Sequence, residues 1–152
     1  MAKMVSLTHR NIYVQTFMLF TQLSGGIVKY MDNRFYREFQ LSFVKYAVLR
    51  SLVRRGGTLK HSELAGLTST KKHNITALVD RMKEDQLVTT QWSKTDKRVN
   101  NVLLTDKGRK LYKEANPVAR EMVEQFMHGM KESDVRKFEK LLDIIKENLE
   151  LG

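Results

Sequence analysis

Between residues 12 and 30 the apolar positions Ile12, Tyr13, Phe17, Phe20, Leu23, Ile27 and Tyr30 recur at steps of three and four. That is the period of one helix face, so the N-terminal third is predicted helical, with Gly25-Gly26 as a weak point near its middle. A second helix is predicted from Leu41 to about Arg54, ended by Gly56-Gly57. Its apolar set (Leu41, Phe43, Val44, Ala47, Val48, Leu49, Leu52) covers most of the circumference, the mark of a central core helix. Two shorter helical patterns follow, HSELAGL (61–67) and KKHNITALVDRMKED (71–85). In the second, Ile75, Leu78, Val79 and Met82 fall at i, i+3, i+4 and i+7 and must turn inward.

The period then changes. LVTTQW (87–92) and VNNVLL (99–104) are β-prone runs, joined by a polar turn containing Ser93, Thr95 and Asp96, residues that bond their own backbone. From Thr105 the chain reads as helical again, with a break expected at Asn116-Pro117: a kink, or an N-cap with proline at the first helical position. Gly129 and Ser133 punctuate the last two helices. The final one carries Val135, Phe138, Leu142, Ile145 and Leu149, an a/d seam lasting two heptads. Packing inside its own domain competes with a subunit contact, because a secure coiled coil shows ~3–4 heptads. The seam's place at the chain end, with charged flanks, favours the subunit contact.

Helix–turn–helix followed by β-hairpin makes a winged helix. The predicted class is therefore mainly α with a small β-hairpin wing (α+β). Composition changes this picture little: 41% hydrophobic and 29% charged residues is ordinary globular chemistry. No apolar run approaches the ~18–20 residues that span a bilayer, and MAKMVSLTHRN carries no hydrophobic signal segment. A cytoplasmic protein without membrane attachment is expected. The absence of cysteine excludes disulfides, thiolate zinc sites and thiol switches. His9, His61, His73 and His128 are scattered, so neither a metal site nor a cofactor is expected. An enzyme is disfavoured too. The chain has no Gly-rich phosphate loop, no serine nucleophile motif and no carboxylate pair beside a base. His61-x-Glu63 would open a zinc-deaminase motif only with a Cys-x-x-Cys that this chain lacks.

Charge changes the picture more. The formal net charge is +10, and it is concentrated: residues 50–113 hold 15 Lys and Arg against 6 Asp and Glu, while the other 88 residues hold 12 against 11. A basic middle segment points to a polyanionic partner. On helix 71–85 the face opposite the apolar one presents His73, Ala77 and Asp80, flanked by Thr70, Asn74, Thr76 and Arg81. Asn, His and Arg read base edges, and Ala or Thr touches a thymine methyl; a plain solvated face is the competing reading. With Thr70 as N-cap, Lys71 and Lys72 occupy the first turn, where the helix dipole disfavours each cation by ~0.3–1 kcal/mol. A phosphate backbone at that helix end reverses the sign of this cost. The hairpin tip likewise holds three cations it does not need for turning, Lys94, Lys97 and Arg98. A wing placed beside the recognition helix reaches a minor groove, where negative potential is focused.

At this point the chain resembles the MarR family of transcriptional regulators over nearly its whole length. The carrying residues are Glu63-Leu64-Ala65, ITALVDRMKEDQLV (75–88) and DKRVNNVLLTDKG (96–108), the last similar to the family's wing signature of Asp-x-Arg and a strand ending in Leu-Thr-x-x-Gly. The resemblance implies a homodimer with intertwined terminal helices. Residues 1–35 and 115–152 would then form a helical dimerisation region, and 36–114 the winged helix-turn-helix DNA-binding lobe. It implies recognition helices in successive major grooves of a pseudo-palindromic double-stranded operator, Arg98 in the minor groove, and Asp96 bracing the wing. It further implies a repressor released by a small aromatic ligand. Tyr13, Phe17, Phe20 and Tyr112 are candidates to line that effector's pocket, although an aromatic stripe at helical spacing is more often core. There are departures. Lys60 stands where a capping Thr or Ser is usual, leaving the end of helix 61–67 to Ser62 or water, and Met82 and Gln86 replace a common Leu and Gly. A winged-helix architectural or protein-interaction module with non-specific DNA binding is the alternative.

Overall fold

The computed structural model describes residues 11–67 and 72–150. Helix α1 (Ile12–Phe39) is capped by Asn11, whose side chain accepts from the Tyr13 amide, and it runs unbroken through Gly25-Gly26. It ends at Gln40, which takes the left-handed conformation (φ 52°) usually given to glycine. Helix α2 (Phe43–Arg54) starts at once: Ser42 Oγ accepts from the Lys45 amide, and Asp32 Oδ1 on α1 accepts from the Phe43 amide at 2.6 Å. Two orphan donors of the second helix are thereby met, one by the helix before it.

Strand β1 (Thr58–Lys60), helix α3 (His61–Leu67), helix α4 (Lys72–Glu84), strand β2 (Val88–Trp92) and strand β3 (Asn100–Leu104) follow. The sheet is antiparallel in the order β1-β3-β2, with Leu59 opposite Val102 and Val88 opposite Leu104. Helix α5 (Asp106–Phe126) and helix α6 (Glu132–Glu150) complete the chain, with Gly129 at φ +82° in the turn between them.

The chain divides into two compact units, one ending at Pro117 and one beginning at Val118. The first holds one hydrophobic core. Ile75, Leu78, Val79 and Met82 are all buried there, as the helical spacing of α4 requires. Buried in the same unit are Val48, Leu49 and Leu52 of α2, Leu59, Val88 and Val102 of the sheet, and Phe35 at the C-terminal end of α1. Tyr46, which the periodicity assigned to no face, is buried as well. Its ring lies 5.8 Å from that of Tyr112, and its hydroxyl donates to Asn116 Oδ1 at 3.0 Å. Burial raises the Tyr46 pKa above its ordinary 10.0, Tyr112 adds to the shift, and Arg50 opposes it.

One local expectation is corrected. Asn116-Pro117 neither breaks nor caps a helix: Pro117 lies inside α5, with Asn116 engaged by Tyr46. Pro117 and Lys113 are on the exposed side, so the Lys113 carbonyl left without its amide partner faces water. At the start of α3, Glu63 Oε2 accepts from the Lys60 amide at 2.8 Å, a carboxylate reaching back to the residue that precedes the helix. β1, three residues long, had no periodic signal to announce it.

The exit of α4 is the most constrained joint. Gln86 sits at φ 62°, its amide donating to the Lys83 carbonyl and that of Leu87 to the Met82 carbonyl. Thr105 Oγ1 lies 2.8 Å from the Gln86 carbonyl and 2.9 Å from that of Leu87, and it accepts from the Gly108 amide as the cap of α5. A Cβ on Gly108 would stand 2.2 Å from the Leu87 carbonyl oxygen. Two substitutions should therefore act in opposite directions in denaturant unfolding. Gly108→Ala should destabilise by about 3 kcal/mol, since the backbone it strikes is fixed by the Thr105 bonds. Gln86→Gly should stabilise by about 0.5–1 kcal/mol, by relieving a left-handed residue at some cost in chain entropy.

Candidate nucleic-acid interface

With its apolar face spent on the core, α4 turns Asn74, Thr76, Ala77, Asp80 and Arg81 to solvent. Asp80 pairs with Lys83 at 3.5 Å, whereas Arg81 and Asn74 make no side-chain bond among the described residues. Small Ala77 at the centre leaves a shallow, hydrogen-bonding surface flanked by a free guanidinium. Thr70 and Lys71, and the side chains of Lys72 and His73, lie outside the described residues.

The segment between β2 and β3 is closed by its own bonds. Ser93 Oγ accepts from the amides of Thr95 and Asp96, both at 3.2 Å. The Ser93 amide donates to the Val99 carbonyl, and the Val99 amide to that of Asp96. Asp96 Oδ1 accepts from the Arg98 amide at 3.0 Å, an Asx turn, and touches Arg98 Nε at 3.3 Å. The Arg98 side chain is nonetheless 92% exposed, so this ion pair contributes little to folding. Lys94 and Lys97 are exposed and pair with nothing described. The tip thus holds its shape through Ser93 and Asp96 and leaves three cations for something else.

The structure does not gather the four aromatic candidates into one pocket. Tyr13 and Phe17 are exposed and Phe20 half-exposed near the start of α1, while Tyr112 stacks on Tyr46. An open cleft of about 650 Å³ lies instead where α1 meets α2, lined by Tyr30, Asp32, Arg34, Tyr36, Arg37 and Ser42. The seam residues of α6 are likewise unburied: Val135 and Leu142 are half-exposed, and Phe138, Ile145 and Leu149 are exposed.

One residue of the wing escaped sequence reasoning. Trp92, at the end of β2, is 61% exposed. Strand parity supplied the signal: Trp92 shares a sheet face with Val88 and Thr90, the face turned to the core, yet it stands beyond the core's edge.

No protein-family model matches the chain. The HTH-type transcriptional repressor IacR of Pseudomonas putida is 31% identical over 124 residues, which cover 80% of this chain and 74% of that protein. The MarR family regulator Sco3205 of Streptomyces coelicolor, solved in complex with DNA, matches with a TM-score of 0.89 at 19% identity, covering 98% of this chain and 93% of its own. The organohalide-sensing regulator RdhR-CbdbA1625 in its 2,4-dichlorophenol-bound form matches at 0.81 and 20% identity, covering 92% and 82%.

Because Asp96 orders the hairpin tip through the Arg98 amide, Asp96→Ala should speed hydrogen exchange at residues 97–99 with little change in melting temperature. Asp96→Asn, which keeps the acceptor oxygen, should leave exchange near the wild-type rate. Equal exchange in all three proteins would show that Ser93 alone holds the tip.

Proposed function

The chain belongs to the MarR family of winged-helix transcriptional regulators, and we propose that it acts as a homodimeric repressor that reads a pseudo-palindromic operator. In this reading α4 enters the major groove, with His73, Asn74, Thr76, Ala77 and Arg81 toward base edges and Thr70, Lys71 and Lys72 toward phosphates. The wing carries Arg98 into the flanking minor groove, with Lys94 and Lys97 on the backbone and Asp96 as brace. The observation that carries the reading is the wing tip, where ordered backbone presents three cations that contribute little to folding. Half-sites lie about one helical turn, ~10 bp, apart, as two-fold symmetry requires.

Residues 1–35 and 115–152 form the dimerisation region in this proposal. Supporting it, α6 buries none of its side chains, and α1 exposes Ile12, Tyr13, Phe17, Leu23 and Ile27. Apolar surface of that extent on two helices is the usual mark of an interface. Release of DNA by a small aromatic ligand fits the dichlorophenol held by RdhR-CbdbA1625, and repression fits the name of IacR.

Selection of bound duplexes from a random pool, followed by salt titration, tests the DNA reading. Arg98→Ala should weaken binding to the selected duplex by on the order of 2 kcal/mol while melting like wild type, because the side chain is exposed in the free protein. Lys94→Ala should lower the log–log salt slope by about one unit on any sequence. An Arg98→Ala protein that melts early and binds no worse per folded molecule would return the arginine to a structural role. Equal affinity for selected and random duplexes would favour the architectural alternative.

The dimer has its own check. Replacing Leu142 and Ile145 together by Glu should yield a monomer in light scattering, with much weaker DNA binding. A double variant that remains dimeric would place the subunit contact elsewhere.

A further inference from the structure

Two defects meet on one cross-strand pair at the root of the wing. Trp92 and Asn100 are directly opposed in the β2–β3 register, so their side chains share a face of the sheet. Trp92 leaves a large apolar ring 61% in water. Asn100 Oδ1 is buried with no hydrogen-bond partner among the described residues. A stretch selected only for packing keeps neither, since an indole gains by burial and a buried acceptor gains by pairing. Their face is the one on which Val88, Val102 and Leu59 pack against the helices, so Trp92 projects on the helix side of the sheet. Next to it in the chain comes the cationic tip, Lys94, Lys97 and Arg98.

We propose that Trp92 is a DNA-contact residue, its indole packing on a deoxyribose of the backbone strand that passes between the groove holding α4 and the groove holding the wing. This rests on the DNA-binding reading above. A duplex in contact with both the outer face of α4 and the wing tip crosses the strip between them, and Trp92 stands at the wing's end of that strip. The flanking cations fix the partner as an anion, and the sugar is the part of a nucleic-acid backbone that offers an apolar surface. The contact carries no charge and reads no base edge, so it adds affinity alike to cognate and non-cognate duplexes.

Trp92 is the only tryptophan of the chain, so its emission reports on this contact alone. The free dimer should emit at long wavelength and be quenched efficiently by acrylamide. On titration with the selected duplex, the emission should change and the quenching constant fall severalfold, saturating with binding. Trp92→Ala should weaken binding about tenfold on selected and random duplexes alike, with an unchanged salt slope and melting curve. Trp92→Phe should recover most of the affinity, since a flat ring remains.

Emission and quenching that stay constant while the duplex binds, or a Trp92→Ala protein with wild-type affinity, would overturn the proposal and leave the DNA-binding reading intact. A ring already shielded from acrylamide in the free dimer would assign it to a subunit contact, overturning the proposal in the same way. Capture of no duplex at all would remove both readings together.

Discussion

The backbone carbonyls of Gln86 and Leu87 are where α4, the wing and α5 meet. A single hydroxyl proton, that of Thr105, is shared between them, while the same oxygen accepts the Gly108 amide that opens α5. Around this point Asp85 receives Lys45 on its carboxylate and Lys107 on its carbonyl. Helix exit, strand register and helix cap are therefore one linked arrangement. Each bond alone contributes about 0.5–1.5 kcal/mol net, and losing the part-buried one to Thr105 Oγ1 would leave the Gly108 amide without that partner. The absent Cβ of Gly108 is what lets the backbones approach closely enough to make them.

That arrangement separates the work of folding from the surface left for a partner. α4 spends Ile75, Leu78, Val79 and Met82 on the core and keeps the side chains of Arg81 and Asn74 free of bonds among the described residues. The wing is shaped by Ser93 and Asp96, so its cations are dispensable to the shape. Surface residues freed in this way can change partner preference with little change in stability.

Much of this was legible in the sequence. The i, i+3, i+4, i+7 spacing of α4 names its buried side, and the shift from helical period to alternation at Leu87 locates the hairpin. The rest was hidden for identifiable reasons. β1 is shorter than any periodic signal, and only its pairing with β3 makes it a strand. Local rules mark Pro117 as a break, but an exposed proline removes a single helix bond whose carbonyl water can satisfy. Periodicity shows that the stripes on α1 and α6 are apolar without saying which surface covers them: the α1 aromatics read like core although Tyr13 and Phe17 are exposed, and only its place at the chain end turned the α6 seam toward a subunit contact. Trp92 was overlooked because a lone aromatic in a strand resembles any other sheet residue until its position past the core edge is known. The reading of the helix start at Thr70, with Lys71, Lys72 and His73, rests on sequence alone.

The strand order has a consequence for how the chain is made. β3 is the last strand synthesised and the middle one of the sheet. While the nascent chain emerges, β1 and β2 therefore have no edge to pair with until residues 100–104 clear the ribosome. At ~5–20 residues per second, the interval between the emergence of Lys60 and that of Leu104 lasts roughly 2–9 seconds. α3 and α4 emerge within that interval, before β3 is present to complete the sheet beside them. The brevity of β1, only three residues, keeps the waiting edge too short to recruit a neighbouring chain on the same messenger.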